Sequence, residues 1–109
     1  MALRIITKKR FENKVKRLVE YLLLSWYDSV ADDFILQLNQ SIELLSESPN
    51  IGSKVKGLKN TRTILITKHN RLYYRIENDK LVVINLIDTR RDPKRTLSIN
   101  RNERKILFT

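Results

Sequence analysis

The pattern of hydrophobic and polar positions in the first half of the chain predicts one strand followed by two helices. Leu3 to Thr7 is a short β-branched run of the kind found in strands. Beyond it, apolar residues recur at spacings of three and four, which is the period of a helix with one buried face. They are Phe11, Val15, Leu18 and Leu22 in the first helix, and Ala31, Phe34, Leu38, Ile42 and Leu45 in the second. Thr7 and Ser25 are the predicted N-caps, and Pro49 stops the second helix.

The second half of the chain predicts three strands joined by tight turns. Residues 53–61 lack periodicity and hold three lysines around a glycine, so we predict a basic loop without regular structure. Segments 62–67, 72–77 and 81–87 have the composition of strands, and the residues between them favour turns. Because such short connections join neighbouring strands, the three strands are expected to pair antiparallel.

These elements predict an α+β fold. An N-terminal strand and an antiparallel helical hairpin pack on one face of a small, mostly antiparallel sheet. The opposite face of the sheet has no helix to cover it, which makes it the expected location of function. Residues 1–95 form the predicted domain, and residues 96–109 form a basic C-terminal extension for which the pattern favours no particular structure.

The amino-acid composition excludes several classes of function. The chain has no cysteine and one histidine, which excludes disulfide scaffolds, thiol nucleophiles and cysteine-bound zinc or iron–sulfur clusters. We therefore predict neither a metal site nor a cofactor. The longest apolar stretches fall short of the roughly 20 residues that a membrane span needs, and no signal-peptide pattern opens the chain. A cytoplasmic protein without membrane contact is expected.

The net charge of +10 is confined to one half of the chain. Residues 1–52 carry seven basic and seven acidic side chains, whereas residues 53–109 carry fifteen basic and five acidic ones. A cationic region of this kind is the electrostatic footprint of a protein that binds a polyanion, because Lys and Arg displace the counterions condensed on phosphates. The alternatives are a solvated basic surface and a surface that binds an acidic protein.

If the polyanion is RNA, the second half holds part of the chemistry that cleavage requires. Metal-free cleavage needs a base for the 2′-hydroxyl, an acid for the 5′-oxygen and cations that stabilise the charged intermediate. His69 is the only histidine, although a turn histidine is more often solvated. Tyr73 and Tyr74 should point to opposite faces, one into the core and the other toward a stacked base. Permanent cations are available at Arg62, Arg71, Arg75, Arg90 and Arg91, the last two of which could instead pair with nearby aspartates.

A series of short motifs gives the chain a family resemblance. In order, they are Tyr21-Leu22 before the helical turn, Ala31 with Phe34 after it, Ser48 to Gly52, Ile66 to Ile76, and Asp88 to Pro93. Together with the strand, helix, helix, three-strand order over about residues 3–95, they resemble the RelE/ParE superfamily of bacterial toxins from type II toxin–antitoxin modules. The resemblance implies a toxin that arrests growth and that a cognate antitoxin protein silences with helical or extended segments.

Two targets divide this superfamily, and the resemblance leaves both open. RelE-like members cut mRNA in the ribosome, and ParE-like members poison DNA gyrase, so the fold alone does not select a target. The leading hypothesis is inhibition of translation by metal-independent, ribosome-dependent mRNA cleavage. The alternatives are a gyrase inhibitor and a basic nucleic-acid-binding module without toxicity.

The resemblance also assigns site residues. The RelE pattern places Arg62 at the first of two strand lysines, Arg71 before the Leu-x-Tyr strand and Arg91 after the last strand, while Ile64 and Leu97 replace two polar groups of that pattern. Because two polar groups of the pattern are replaced, the resemblance does not decide whether the chain is a nuclease. The predicted catalytic set is Arg62, Arg71, Arg91, His69 and Tyr74. The predicted nucleic-acid-binding set is Lys54, Lys56, Lys68, Arg75 and Arg90.

Overall fold

The computed structural model describes residues 2–89, in which two helices and five strands follow the predicted order. The strands are β1 (Arg4–Thr7), β2 (Ser53–Lys54), β3 (Thr61–Thr67), β4 (Asn70–Glu77) and β5 (Lys80–Asp88). The helices are α1 (Lys9–Ser25) and α2 (Asp28–Glu47), and a single 3₁₀ turn, Pro49–Ile51, follows α2. The fold is α+β, as predicted. The proposed extension, residues 96–109, lies outside the described residues.

The predicted apolar stripes are the buried faces of both helices. All five stripe residues of α2 are buried, and in α1 Phe11 is buried while Val15, Leu18 and Leu22 are half-buried against the core. The spacing of apolar residues therefore correctly predicts which face of each helix is buried.

Among residues 2–89, no helix is both long enough and apolar enough to cross a bilayer.

The predicted helix caps were wrong at both positions. Lys8 and Tyr27 occupy the N-cap positions of α1 and α2, and neither side chain bonds to its helix. Thr7 instead donates from its hydroxyl to the Glu12 carboxylate. Ser25 is the last residue of α1, because only two residues separate the helices and the chain is still helical when it reaches this serine. A reversal this short leaves no room for a separate capping turn.

The five strands form one sheet in the order β1-β5-β4-β3-β2. β1 pairs with β5 in parallel, with Arg4 beside Lys80, and the other pairs are antiparallel. The loop predicted over residues 53–61 is corrected in part, since its first two residues form β2 along the edge of β3. A two-residue strand is too short to show an alternating pattern in the sequence.

Both helices pack on the same face of the sheet. The core joins Phe11 of α1 and the buried stripe of α2 to five side chains of β4 and β5, which are Leu72, Tyr74, Leu81, Val83 and Leu86. The opposite side of the sheet, which no helix within residues 2–89 covers, is called the far face below. Because strand side chains alternate, residues adjacent in sequence to the core positions point to the far face.

Candidate functional site

The far face presents polar side chains from two neighbouring strands, β3 and β4. β3 contributes Thr61 and Thr63, and β4 contributes Arg71, Tyr73 and Arg75, which alternate with the core residues of the same strand. Strand pairing sets Thr63 directly opposite Tyr73 and Thr61 opposite Arg75. The register also places Val82 and Ile87 of β5 on this face, where both are buried. The far face thus combines hydroxyl and guanidinium groups of β3 and β4 with an apolar β5 on a sheet support, which is the kind of scaffold that holds a site in one geometry.

Three of these side chains are joined around one hydroxyl. Arg71 Nη1 donates to Thr63 Oγ1 at 3.4 Å, and Tyr73 forms a hydrogen bond with the same threonine side chain. Thr63 in turn donates to the Leu72 carbonyl oxygen at 2.9 Å, which fixes the hydroxyl between the strands. The Arg71–Thr63–Tyr73 cluster therefore holds a cation and a phenol side by side on the far face.

Burial is the main influence on the Tyr73 hydroxyl. It raises the pKa of Tyr73 above the ordinary value of 10.0, because the phenolate loses hydration. The positive charge of Arg71 and the hydrogen bond with Thr63 act in the opposite direction and do not cancel the effect. Tyr73 therefore keeps its proton throughout the neutral range. In chemical terms the cluster offers one permanent cation and one O–H donor.

Arg75 lies on the same face but is already neutralised. Its Nε donates to the carboxylate of Glu77, two residues along the strand, and both side chains are partly exposed. An exposed pair of this kind contributes little to stability and exchanges readily with other partners. Arg75, which was predicted to contact nucleic acid, thus lies on the far face, and in this structure its charge is paired with Glu77.

Arg62 and Tyr74 lie on the helical side of the sheet. They are cross-strand neighbours, and both bond to the turn that follows α2. Arg62 Nη1 donates to the carbonyl oxygens of Asn50 and Gly52 at 3.1 and 2.6 Å. The Tyr74 hydroxyl donates to the Pro49 carbonyl at 2.6 Å and accepts from the Gly52 N–H at 3.1 Å. The pair ties the end of α2 to the sheet.

These contacts separate Arg62 and Tyr74 from the far face. The Tyr74 side chain is fully buried, and burial raises its pKa, while the Gly52 N–H and the Arg62 charge act to lower it. Two of the five residues predicted as catalytic, Arg62 and Tyr74, therefore contact the turn after α2 in this structure, and their catalytic role stays a prediction. The predicted alternation of the two tyrosines holds, and Tyr73 is the one that points away from the helices.

The role of Arg62 can be measured as stability. We expect Arg62→Met to lower the free energy of unfolding by about 1 to 3 kcal/mol, because two carbonyl oxygens lose a charged donor. Urea denaturation followed by circular dichroism measures the change. Arg62→Lys, which keeps the charge but not the planar fork, is the matched control and should recover part of the loss. An unchanged midpoint for Arg62→Met would contradict this structural role.

The β3–β4 turn carries two further predicted residues. Lys68 is exposed and His69 is half-buried, and the His69 N–H donates to Thr67 Oγ1 at 3.2 Å. The end of β5 is held against this turn, since the Thr89 N–H donates to the His69 carbonyl at 2.8 Å and Thr89 Oγ1 donates to that of Lys68 at 3.1 Å. The β3–β4 turn and the C-terminal end of β5 therefore lie together at one end of the strands.

The remaining predicted residues fall into two groups. Lys54 and Lys56 are exposed in the segment after α2, and Lys54 lies opposite Arg62 on the edge strand. Arg90 and Arg91 lie outside the described residues, so their roles stay predictions.

Among residues 2–89, no group of three or more histidine or acidic side chains is placed to hold a metal ion.

Sequence reasoning passed over two polar residues of the far face. Thr63 joins Arg71 to Tyr73, and Asn85, on β5, lies opposite Tyr73 and is 2% exposed. The signal for Asn85 was present in the sequence, because this residue is the one polar position inside the otherwise apolar segment 81–87. Thr63 gave no such signal, since threonine is common in strands.

The helical side has an open groove. It lies between α1, α2 and β1, has a volume of about 630 Å³, and is lined by apolar side chains with charged ones at its rim. The apolar lining comes from Ile5, Phe11, Val15, Leu38 and Ile42. Grooves of this form accept an apolar segment of another chain.

Several solved structures share this fold. The chromosomal ParDE system of P. aeruginosa superposes with a TM-score of 0.67 at 8% identity, covering 80% of this chain and 96% of that one. An arginine double mutant of the E. coli toxin RelE in the free state gives 0.61 at 19% identity, with 93% and 98% covered. The E. coli DinJ–YafQ toxin–antitoxin complex gives 0.60 at 12% identity, with 83% and 96% covered. At these identities the likeness establishes the fold.

Membership of a family rests on the sequence. No curated protein matches the chain significantly. The family model described as the ParE toxin of the type II toxin–antitoxin system parDE matches residues 5–93, which is most of the chain and includes every described strand and helix except the first residue of β1. The resemblance drawn from the sequence motifs is thereby confirmed at the level of the superfamily, and the chain belongs to the ParE toxin family of type II toxin–antitoxin systems.

Proposed function

We propose that this toxin arrests growth by inhibiting translation, and that it binds mRNA in the ribosome on its far face and cuts it. The observation that supports this most strongly is the Arg71–Thr63–Tyr73 cluster, which sets a permanent cation beside a protonated phenol on a face without a covering helix among residues 2–89. The basic excess of residues 53–109 supports a phosphate-rich partner. The proposed location is the cytoplasm, where ribosomes work.

The cluster can supply the charge stabilisation and the general acid that RNA cleavage needs. Attack of the 2′-hydroxyl on the adjacent phosphorus forms one P–O bond and breaks the bond to the 5′-oxygen, and negative charge builds on the phosphate oxygens in between. Arg71 stabilises that charge, and Tyr73 donates its proton to the departing 5′-oxygen. His69, in the turn between β3 and β4, is the proposed base for the 2′-hydroxyl. Neither a metal nor a cofactor takes part in this scheme.

A cognate antitoxin is the proposed protein partner. The structures of ParDE and DinJ–YafQ are, by their descriptions, a toxin–antitoxin system and a toxin–antitoxin complex. In this chain the groove between α1, α2 and β1 offers an apolar floor for a helix or an extended segment. The charged side chains that line it, Glu12, Lys16 and Glu43, are of both signs. We therefore propose that an apolar face of the antitoxin occupies this groove, and that acidic residues of the same protein pair with the basic excess of residues 53–109.

Inhibition of DNA gyrase is the second candidate. It is favoured by one observation, which is that the matching family model is the one named for the ParE toxin. Two features of the RelE pattern also differ, because Arg62 is engaged with backbone carbonyls and Ile64 replaces a lysine. The two targets predict different damage in arrested cells, which makes them separable by experiment.

Induced expression without an antitoxin tests the proposal. We expect growth to stop, and primer extension on mRNA from the arrested cells to reveal new 5′ ends within translated regions. Plasmid DNA from the same cells should keep its normal topology. New mRNA ends support cleavage in the ribosome, whereas intact mRNA with linearised or relaxed plasmid supports the gyrase target. Unimpaired growth would remove the toxin activity altogether.

A further inference from the structure

Asn85 combines burial with an unused hydrogen-bond donor. The residue is 2% exposed, and its Nδ2 has no hydrogen-bond partner among residues 2–89. The orientation of the amide is fixed, because the other end of the side chain, Oδ1, accepts the Leu86 N–H at 2.8 Å. A backbone N–H needs an oxygen opposite it, so turning the amide over would break this bond. The N–H₂ group is therefore the end left without a partner.

A β-bulge determines where this donor lies. The register between β4 and β5 shifts at this point, with Tyr73 paired to Asn85 and Tyr74 paired to Val83, so Ile84 is an extra residue in β5. Because Tyr73 points away from the helices, its cross-strand partner Asn85 belongs to the far face as well. Bulges commonly re-aim a side chain beside a functional site. This one brings a polar residue of β5 next to the Arg71–Thr63–Tyr73 cluster.

An unsatisfied buried amide is costly and therefore informative. Most buried polar atoms in folded proteins have a partner, and leaving a donor without one carries the full penalty of removing it from water. Within residues 2–89 the fold uses the oxygen end of this amide, which accepts the Leu86 N–H at the bulge. The neighbouring buried positions of β5 are apolar, so the N–H₂ end finds no acceptor among them. An acceptor for this donor has to come from outside residues 2–89, as a phosphate oxygen of a bound ligand does.

We propose that Asn85 is a substrate-binding residue, whose Nδ2 donates a hydrogen bond to a backbone phosphate oxygen of the bound RNA. The inference rests on the proposed function and extends it to a residue of β5. Arg71 lies diagonally across from Asn85, since Arg71 pairs with Ile87 and Tyr73 pairs with Asn85. Diagonal neighbours on adjacent strands are about 7 to 8 Å apart, a distance that a long arginine spans toward the same phosphate.

The same geometry assigns Tyr73 a place in binding. Tyr73 lies directly across from Asn85 and is half-buried, and in this proposal its side chain moves aside when a phosphate oxygen reaches Nδ2. Its displacement gives up the hydrogen bond with Thr63 and frees the phenol to donate to the RNA. Asn85, Arg71 and Tyr73 then each offer a hydrogen-bond donor to one phosphate on the same face.

Nuclear magnetic resonance on the unaltered protein provides the first test. In the full-length protein labelled with ¹⁵N, the Asn85 side-chain amide should move downfield and exchange more slowly when a short single-stranded RNA is added. The side-chain amide of Asn13, which is exposed on α1, serves as the internal control and should not move. RNA that binds without altering the Asn85 amide would overturn the inference.

A substitution provides the second test. Asn85→Asp keeps the oxygen that accepts the Leu86 N–H and removes the free donor, so we expect affinity for the same RNA to fall by about tenfold or more. Asn13→Asp makes the same change of charge on the helical side and should leave affinity within about twofold, because a distant exposed charge is screened. Equal affinity for Asn85→Asp and wild type would show that the amide is structural.

The two proposals fail in different ways. If the wild-type protein neither binds RNA nor generates mRNA ends, the proposed function fails, and the role of Asn85 fails with it. If wild type binds RNA or generates mRNA ends, and Asn85→Asp does so equally well, the inference about Asn85 fails alone. A variant that does not fold leaves the resonance of the wild-type amide as the deciding measurement.

Discussion

Cells that express the Arg71→Ala variant are expected to keep growing under conditions in which the wild-type toxin stops them. Arg71 supplies the cation of the Arg71–Thr63–Tyr73 cluster, and removal of a donor that stabilises developing charge typically costs about 10² to 10³ in rate. Its contact with Thr63 is a long hydrogen bond of 3.4 Å, so the thermal midpoint should change little. Growth curves after induction, together with thermal denaturation of the purified variant, measure the two effects.

A matched control separates the site from net charge. Arg17→Ala removes the same charge from the exposed surface of α1 and should leave growth arrest intact. If Arg71→Ala arrests growth as strongly as wild type, the far face is not the active surface. If both variants lose toxicity equally, the effect belongs to overall electrostatics rather than to this cluster.

Gly52→Ala is expected to destabilise the fold by about 2 to 4 kcal/mol, which is the largest stability effect we predict. A Cβ atom built on Gly52 would lie 2.4 Å from the Tyr74 hydroxyl oxygen and 2.9 Å from its Cε1. The backbone angle φ of Gly52 is −72°, a value that alanine adopts freely, so the cost arises from contact alone. Tyr74 is fully buried and cannot move aside without breaking its bonds to the turn.

A double-mutant cycle identifies the cause. Tyr74→Phe should itself cost about 1 to 3 kcal/mol, because the Gly52 N–H and the Pro49 carbonyl lose their partner. In the Tyr74→Phe background, Gly52→Ala should cost at least about 1 kcal/mol less, since the closest atom is gone. Ser53→Ala, at the neighbouring exposed position, is the control and should change stability by less than about 0.5 kcal/mol. Equal costs of Gly52→Ala in both backgrounds would contradict this explanation.

The sequence predicted most of the architecture because most of its elements have a periodic apolar face. The stripe of α2 and the alternation in β4 each correspond to residues that the structure buries. The parts that were missed carry no periodicity. β2 is two residues long, and the N-caps of both helices are residues without a capping side chain, so nothing in their composition marks them.

The site was harder to predict than the fold. Alternation showed that Tyr73 and Tyr74 face opposite ways, but which one meets the helices depends on how strand register and helix packing combine. Arg62 resembled a phosphate ligand by position, yet its guanidinium is held by backbone carbonyls of a turn that lies ten residues or more earlier in the chain. Contacts of this range are settled by tertiary structure, which a linear pattern does not encode.

The parallel pairing of β1 with β5 has a consequence for how the protein is made. The first strand of the chain finds its partner in the last described strand, with Arg4 beside Lys80, so the sheet is completed by one of the most distant contacts in the sequence. Contacts of this kind close a long loop at a cost in chain entropy, and they require that both partner segments have been made. A ribosome that stops before residue 80 therefore releases a chain unable to finish the sheet, and interrupted synthesis yields no functional toxin.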